Sequence, residues 1–109
     1  MNIEKLNKDK SIIHLIAHLK SRFGLEKFVL NDFWDADLFA IGISDPQKEI
    51  LIYISTYGKK KGEYFISIED IDNPTSPIDL SEKVKMKKLE MKIAKYLKIE
   101  IVQKCVKRP

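Results

Sequence analysis

The chain has 109 residues, of which 44% are hydrophobic and 33% are charged. These proportions suit one globular domain and exclude a disordered or fibrous protein. The net charge of +4 comes from 20 Lys and Arg residues against 16 Asp and Glu residues, an excess too small to demand an anionic partner. A single cysteine, Cys105, excludes an internal disulfide. The polar N-terminus does not resemble a signal peptide, and no apolar run is long enough to span a membrane. We therefore expect one cytoplasmic domain over residues 1–109, with no membrane contact.

The first predicted element is an amphipathic helix near the N-terminus. Asp9 or Ser11 is a suitable N-cap for it, and Gly24 can end it in the left-handed conformation. Its apolar residues recur at intervals of three and four, which places them on one helical face. They are Ile12, Leu15, Ile16, Leu19 and Phe23.

A meander of short antiparallel strands follows the helix. Residues 28–30 form a short apolar run, and residues 37–69 contain three more runs rich in Ile, Tyr and Phe. Turn-like breaks with Pro and Gly divide these runs, and apolar residues alternate within them with a period of two. The predicted core face is Phe39, Ile41, Ile43, Ile50, Ile52, Ile54, Tyr64, Ile66 and Ile68. We expect the opposite face, which mixes small residues with aromatics, to be largely open.

A loop and a second helix are predicted next. Residues 70–79 carry two prolines and several capping residues, which is typical of a loop. We expect the helix to begin at Asp79 or Ser81 and to extend to Lys98. Its apolar stripe is Met86, Leu89, Ile93, Tyr96 and Leu97. Alternation over residues 99–102 indicates a last strand.

Together these elements predict an α+β fold. The expected order is α-β-β-β-β-α-β, with a short first strand. Each helix has one apolar stripe, and only one sheet face is fully aliphatic. An antiparallel sheet of three to five strands, with both helices packed on one face, buries all of this surface.

No arrangement of residues indicates catalysis or metal binding. His14 and His18 have the spacing of two metal ligands on a helix. They lie opposite the apolar stripe, however, and no third ligand is near them in the sequence, whereas a zinc site needs three or four. Cys105 is better explained as a small apolar residue than as a nucleophile. We therefore expect no enzymatic activity, no cofactor and no metal.

Lysine clusters suggest one alternative function, that of a small nucleic-acid-associated regulatory protein. Lys59, Lys60 and Lys61 lie between two glycines, and a second group lies on the predicted second helix: Lys85, Lys88 and Lys92. Lysines supply affinity for phosphates but little sequence readout. A hairpin tip and the wet face of a helix are also commonly rich in lysine. Nucleic acid is therefore the less favoured partner.

Acidic and aromatic residues suggest a protein partner instead. An antiparallel meander gathers five acidic residues at one end of the sheet: Asp45, Glu49, Glu69, Asp70 and Asp72. Its open face offers Tyr53, Tyr57 and Phe65 as anchors, although core packing explains aromatic residues about equally well. Complementary charge is a common means of partner selection. Homodimerisation through the open face or a sheet edge is compatible with either function.

A segment of the chain resembles bacterial immunity proteins of contact-dependent growth inhibition and related toxin systems. The residues that carry this resemblance are Trp34, Asp37, the A-I-G-I of residues 40–43, the L-I-Y-I-S-T of residues 51–56, and an aromatic strand that ends in Glu69. The resemblance covers about a third of the chain.

The resemblance implies a cytoplasmic, non-enzymatic protein that binds one cognate toxin domain, often a nuclease, and blocks it stoichiometrically. The candidate toxin-binding residues are the three aromatic anchors and the five acidic residues given above. One property departs from this pattern, because nuclease inhibitors are usually acidic and this chain is basic. Either the acidic end makes the contact or the toxin is not a basic nuclease.

Overall fold

In a computed structural model, which describes residues 7–31, 37–73 and 76–99, the first element is helix α1, Lys10–Phe23. As predicted, Asp9 is its N-cap, because the Asp9 carboxylate accepts a hydrogen bond from the backbone N–H of Ser11. Gly24 ends the helix at φ 93° and ψ 144°. This φ favours glycine, but the ψ value differs from the left-handed helical conformation that we expected. All five residues of the predicted apolar stripe are buried.

Five antiparallel strands form one sheet whose spatial order is the same as their order in the chain. They are β1 Val29–Asn31, β2 Ala40–Ser44, β3 Ile50–Ser55, β4 Glu63–Asp70 and β5 Asp79–Lys85. Helix α2, Met86–Leu97, follows β5 directly. The connection between β3 and β4 reverses through two glycines at positive φ, Gly58 and Gly62, a conformation that costs a residue without a Cβ little.

Both helices pack on the same face of the sheet, and this layer holds the core. The registers pair Ile41 with Ile54 and Ile52 with Ile68, so these isoleucines line up across the strands on the face that meets the helices. Leu89, Ile93 and Leu97 of α2 belong to the same buried cluster as the stripe of α1. The α+β class and the two-layer arrangement are therefore confirmed.

The start of the second helix was predicted wrongly. Residues 79–85 form β5 and not the first turns of a helix, so the observed order is α-β-β-β-β-β-α. The sequence misleads here because Asp79, Ser81 and Glu82 look like N-terminal helix residues. The segment is an edge strand, however, and its pairing with β4 determines its structure. A polar, lysine-containing strand is typical of a sheet edge.

Two other local expectations need correction, and five positions lie outside the described residues. Phe39 is half-buried and is not part of the core cluster, because it lies in the turn before β2, where the alternation of the strand does not apply. Ile99 does not begin a strand; its N–H bonds to the Ala94 carbonyl and so helps to end α2. Residues 100–102 of the predicted last strand, Trp34 and Cys105 are not among the described residues.

Two ion-pair clusters connect the helices to each other and to the sheet. Glu90 of α2 bonds to His18 and to Arg22 of α1. Asp79 of β5 accepts hydrogen bonds from Lys92 at 2.7 Å and from the Tyr96 hydroxyl at 3.1 Å. These contacts fix the position of α2 against its neighbours on both sides. Both helices begin at the end of the sheet that carries the β3–β4 connection, and both end at the opposite end.

Candidate functional site

Strand alternation places four of the predicted partner-binding residues on the sheet face that lies away from the helices. Because Ile52, Ile54, Ile66 and Ile68 point to the core, the intervening residues point to the opposite face. Tyr53, Phe65 and Glu69 lie on this face, and Tyr57 follows it just beyond the end of β3. The rings of Tyr53 and Phe65 meet edge to face at 5.9 Å.

The exposed part of this face lies beside the β3–β4 connection, and we call it the aromatic surface. It consists of Leu38, Phe39, Tyr53 and Tyr57, which line a shallow groove of about 680 Å³. Tyr57 is 74% exposed and Leu38 is 42% exposed. The Phe39 ring meets the Tyr57 ring edge to face at 5.9 Å. Edge-to-face contact is a favoured arrangement of aromatic rings, and here it leaves Tyr57 largely exposed.

The remainder of the same face is less open than the sequence suggested. Ala40, Ser44, Leu51, Ser55 and Ser67 are all buried. Exposed apolar area is therefore concentrated at the aromatic surface and at Leu80 of the edge strand, which is 51% exposed.

The five predicted acidic residues lie at the far end of the sheet, as the meander requires. Leu51 pairs with Glu69 and Ile50 pairs with Asp70, while the N–H of Ile71 bonds to the carbonyl of Glu49. At about 3.3 Å per residue of strand, this end is roughly 25 Å from Tyr57.

Two of these acidic residues shape the backbone. Asp45 is only 8% exposed, and its carboxylate accepts hydrogen bonds from the N–H groups of Glu49 and Ile50. The Asp70 carboxylate accepts a hydrogen bond from the N–H of Asp72 in the turn after β4. Glu49, Asp70 and Asp72 are exposed and Glu69 is half-buried, so these four present the accessible negative charge of this end.

The predicted lysine sites are not one continuous surface. Lys59, Lys60 and Lys61 form a loop next to Tyr57, and Lys60 and Lys61 are exposed. Lys85 is the last residue of β5 and Lys88 lies in the first turn of α2, so both are at the same end of the molecule as the lysine loop. Lys92 is bonded to Asp79 instead, with a side chain only 17% exposed.

His14 and His18, which have the spacing of two metal ligands, contact different parts of the molecule. His18 bonds to Glu90, whereas His14 lies near the lysine loop.

Burial by itself raises the pKa of Glu90, but hydrogen bonds from His18 and Arg22 hold that pKa below its usual range. A hydrogen bond from Lys92 holds the pKa of Asp79 below its usual range in the same way. Over residues 7–31, 37–73 and 76–99, no three His, Cys, Asp or Glu side chains are grouped as a metal site would require.

The sequence predicted Tyr53, Tyr57 and Phe65 as anchors on the open face, but it missed the contribution of Leu38 and Phe39 to the aromatic surface. Leu38 and Phe39 lie in the turn before β2, where the alternation of a strand gives no signal of exposure. In the described part of the chain, none of the helices has the length and apolar character needed to cross a membrane.

No family model, curated protein or solved structure matches this chain. The arrangement of its residues is therefore the basis for proposing a function.

Proposed function

We propose that this protein is a cytoplasmic immunity protein that binds a cognate bacterial toxin domain in a stoichiometric complex and blocks it. The observation that carries the proposal is the aromatic surface, where Tyr57 is 74% exposed beside the 42% exposed Leu38. Large apolar side chains that are exposed together on a rigid scaffold are typical of protein-binding surfaces. Tyrosine is enriched among the residues that contribute most to binding energy.

The sequence resemblance supports the same proposal, because the resembling segment contains most of this surface. Inhibition by occlusion needs a rigid scaffold, anchors and complementary charge, and it needs no catalytic group. The scaffold here is the central hairpin of β3 and β4, with neighbouring strands on both sides.

The charge around the aromatic surface favours one of the two toxin types that the sequence left open. The anchors adjoin the three lysines of the lysine loop. Asp37 also lines the groove, where its carboxylate accepts a hydrogen bond from the N–H of Phe39, whereas the five predicted acidic residues are at the opposite end of the sheet. A partner centred on Tyr57 therefore meets more positive than negative charge at its rim. This supports a toxin surface that is apolar with acidic residues around it, in preference to a basic nuclease groove.

The test is binding of the purified chain to the toxin domain encoded by the adjacent gene, measured by calorimetry. We expect one-to-one binding, and we expect Tyr57→Ala to weaken it at least tenfold, because a central aromatic anchor typically contributes more than about 1.4 kcal/mol. Met91→Ala is the matched control, since Met91 is 55% exposed on α2, away from this face. The proposal fails if no complex forms, or if Tyr57→Ala and Met91→Ala behave alike.

The second candidate function is binding of nucleic acid, and the position of the lysine loop beside Tyr57 is the observation that favours it. Single-stranded nucleic acid is commonly bound by aromatic side chains next to positive charge. Lys59, Lys60, Lys61, Lys85 and Lys88 would supply that charge, whereas Lys92 is paired with Asp79. Such binding would weaken steeply as salt is raised from 50 to 200 mM, and a toxin complex anchored by Tyr57 would not.

A further inference from the structure

A second concave site lies on the helix side of the same end of the molecule. It is a cleft of about 450 Å³ between the lysine loop and the first turns of both helices. The residues that matter for its chemistry are Lys59, Lys60, Lys61, Tyr64, Met86 and Glu63.

The start of α2 presents backbone N–H groups that receive no side-chain cap from its own N-cap residue. Its N-cap residue, Lys85, makes no side-chain capping hydrogen bond, and the first turn contains no acidic residue. By contrast, Asp9 caps α1. The first N–H groups of a helix have no partner within the helix and carry partial positive charge. Met86, the first residue of α2, lines the cleft.

Tyr64 provides the second, independent observation. Its side chain lines the cleft and only 8% of the residue is exposed, yet its hydroxyl makes no hydrogen bond to any of the described residues. Buried tyrosine hydroxyls normally have a partner, and an unpaired one is costly. Burial also raises the pKa of Tyr64. A tyrosine phenol is protonated at neutral pH even without such a shift, so this hydroxyl can donate a hydrogen bond.

The charge of the lining identifies the kind of group that would accept these donors. Three lysines border the cleft, and of its two carboxylates, Asp9 already bonds to Ser11, which leaves Glu63. We propose that this cleft binds a phosphate group, held by the lysine loop, the first turn of α2 and the Tyr64 hydroxyl. This site shares Phe39 with the aromatic surface but lies on the helix side of the sheet, and it does not depend on a toxin partner.

The experiment is a titration of the ¹⁵N-labelled chain with inorganic phosphate and with pyrophosphate, at constant ionic strength set by chloride. We expect saturable shifts of the amides of residues 58–64 and 86–88, with a dissociation constant of about 1 mM or lower. Lys60→Gln with Lys61→Gln should abolish saturation. Lys27→Gln with Lys48→Gln is the matched control, because both residues are exposed at the other end of the sheet, and it should leave binding unchanged.

The Tyr64→Phe variant tests whether the Tyr64 hydroxyl binds the ligand or simply lacks a hydrogen-bond partner. If the hydroxyl donates to the phosphate, its removal weakens binding about tenfold, while stability in the absence of phosphate is unchanged or higher. The proposal is overturned if Tyr64→Phe binds phosphate as tightly as the parent chain. It is also overturned if both lysine double variants lose the same affinity, or if the amide shifts of the parent chain do not saturate.

A second arm distinguishes the source of the phosphate by using a ten-nucleotide oligothymidylate. If it binds more than tenfold tighter than pyrophosphate and depends on the same residues, the site holds a nucleic acid backbone. If it binds no tighter, the site holds a small phosphorylated molecule. Both results support a phosphate site. The proposal is contradicted if the affinity for the oligonucleotide is unchanged by Tyr64→Phe and by Lys60→Gln with Lys61→Gln.

Discussion

At the scale of single residues, Asp45 shows how a carboxylate that looks available for a partner can serve the fold. Its buried side chain accepts two backbone hydrogen bonds, at 2.8 Å from Glu49 and at 2.9 Å from Ile50. Together with Lys48 at φ 59°, it forms the turn that sets the register of β2 against β3. Glu49, four positions away, is exposed and contributes charge rather than structure.

We expect Asp45→Ala to lower the free energy of unfolding by about 2 kcal/mol, because two N–H groups lose their acceptor. Asp45→Asn keeps an oxygen acceptor and should lose much less. Urea unfolding followed by circular dichroism measures both, with Glu49→Ala as the control that changes stability little. The interpretation is wrong if Asp45→Ala is as stable as the parent but binds the toxin less well.

At the scale of elements, the residue that ends α2 has a strained backbone conformation that a substitution can relieve. Lys98 ends the helix in the left-handed conformation at φ 59°, and its N–H bonds to the Ala94 carbonyl. Glycine reaches this conformation without the steric penalty of a Cβ. We expect Lys98→Gly to raise the free energy of unfolding by about 1 kcal/mol.

The matched control for this substitution is Lys95→Gly, which lies in the last turn of the same helix. Glycine within a helix costs about 1 kcal/mol relative to good helix formers, so the two variants should shift thermal unfolding in opposite directions. A decrease for both would show that the conformation of Lys98 carries no strain.

The elements also show how far the sequence determines the fold. The stripes of both helices and the isoleucines of β2, β3 and β4 were predicted because their periods of 3.6 and two are strong. Strand β5 was missed because only Leu80 and Val84 of its seven residues are apolar, and its structure comes from pairing with β4. The cleft was missed for a similar reason, since Tyr64 and Met86 are distant in sequence and were both assigned to the core.

At the scale of the whole molecule, three carboxylates join the helix layer to its surroundings. The pKa of Asp9 is lowered by hydrogen bonds from Ser11, and those of Asp79 and Glu90 are lowered by their bonds to α2 and α1 residues. A carboxylate with a lowered folded-state pKa stabilises the fold above its unfolded pKa, and this contribution is lost as pH falls. The stability from these groups is therefore complete above about pH 5 and declines below it.

We expect acid to loosen the helices before the sheet, because all three carboxylates act on α1 or α2. Hydrogen exchange at pH 3 to 4 should show loss of protection first in these helices. The double variant Asp79→Asn with Glu90→Gln should be less stable at pH 7 and should decline less steeply as pH falls. If the free energy of unfolding of the double variant falls with pH as steeply as that of the parent chain, other groups dominate acid unfolding.

The position of the β3–β4 hairpin has a consequence for how this protein can change through evolution. Tyr57, the lysine loop and Tyr64 all come from this one hairpin. Its two glycines, Gly58 and Gly62, have positive φ, so a side chain at either position is strained even though a Cβ there would meet nothing within 4 Å. Between these glycines Lys60 and Lys61 are exposed, so the tip can accept substitutions there while Ile54 and Ile66 keep their core positions. A lineage that must follow a changing partner can therefore alter the part of its surface formed by Tyr57 and the lysines within about eight residues, whereas Leu38, Phe39 and Tyr53 of the same surface lie outside this segment.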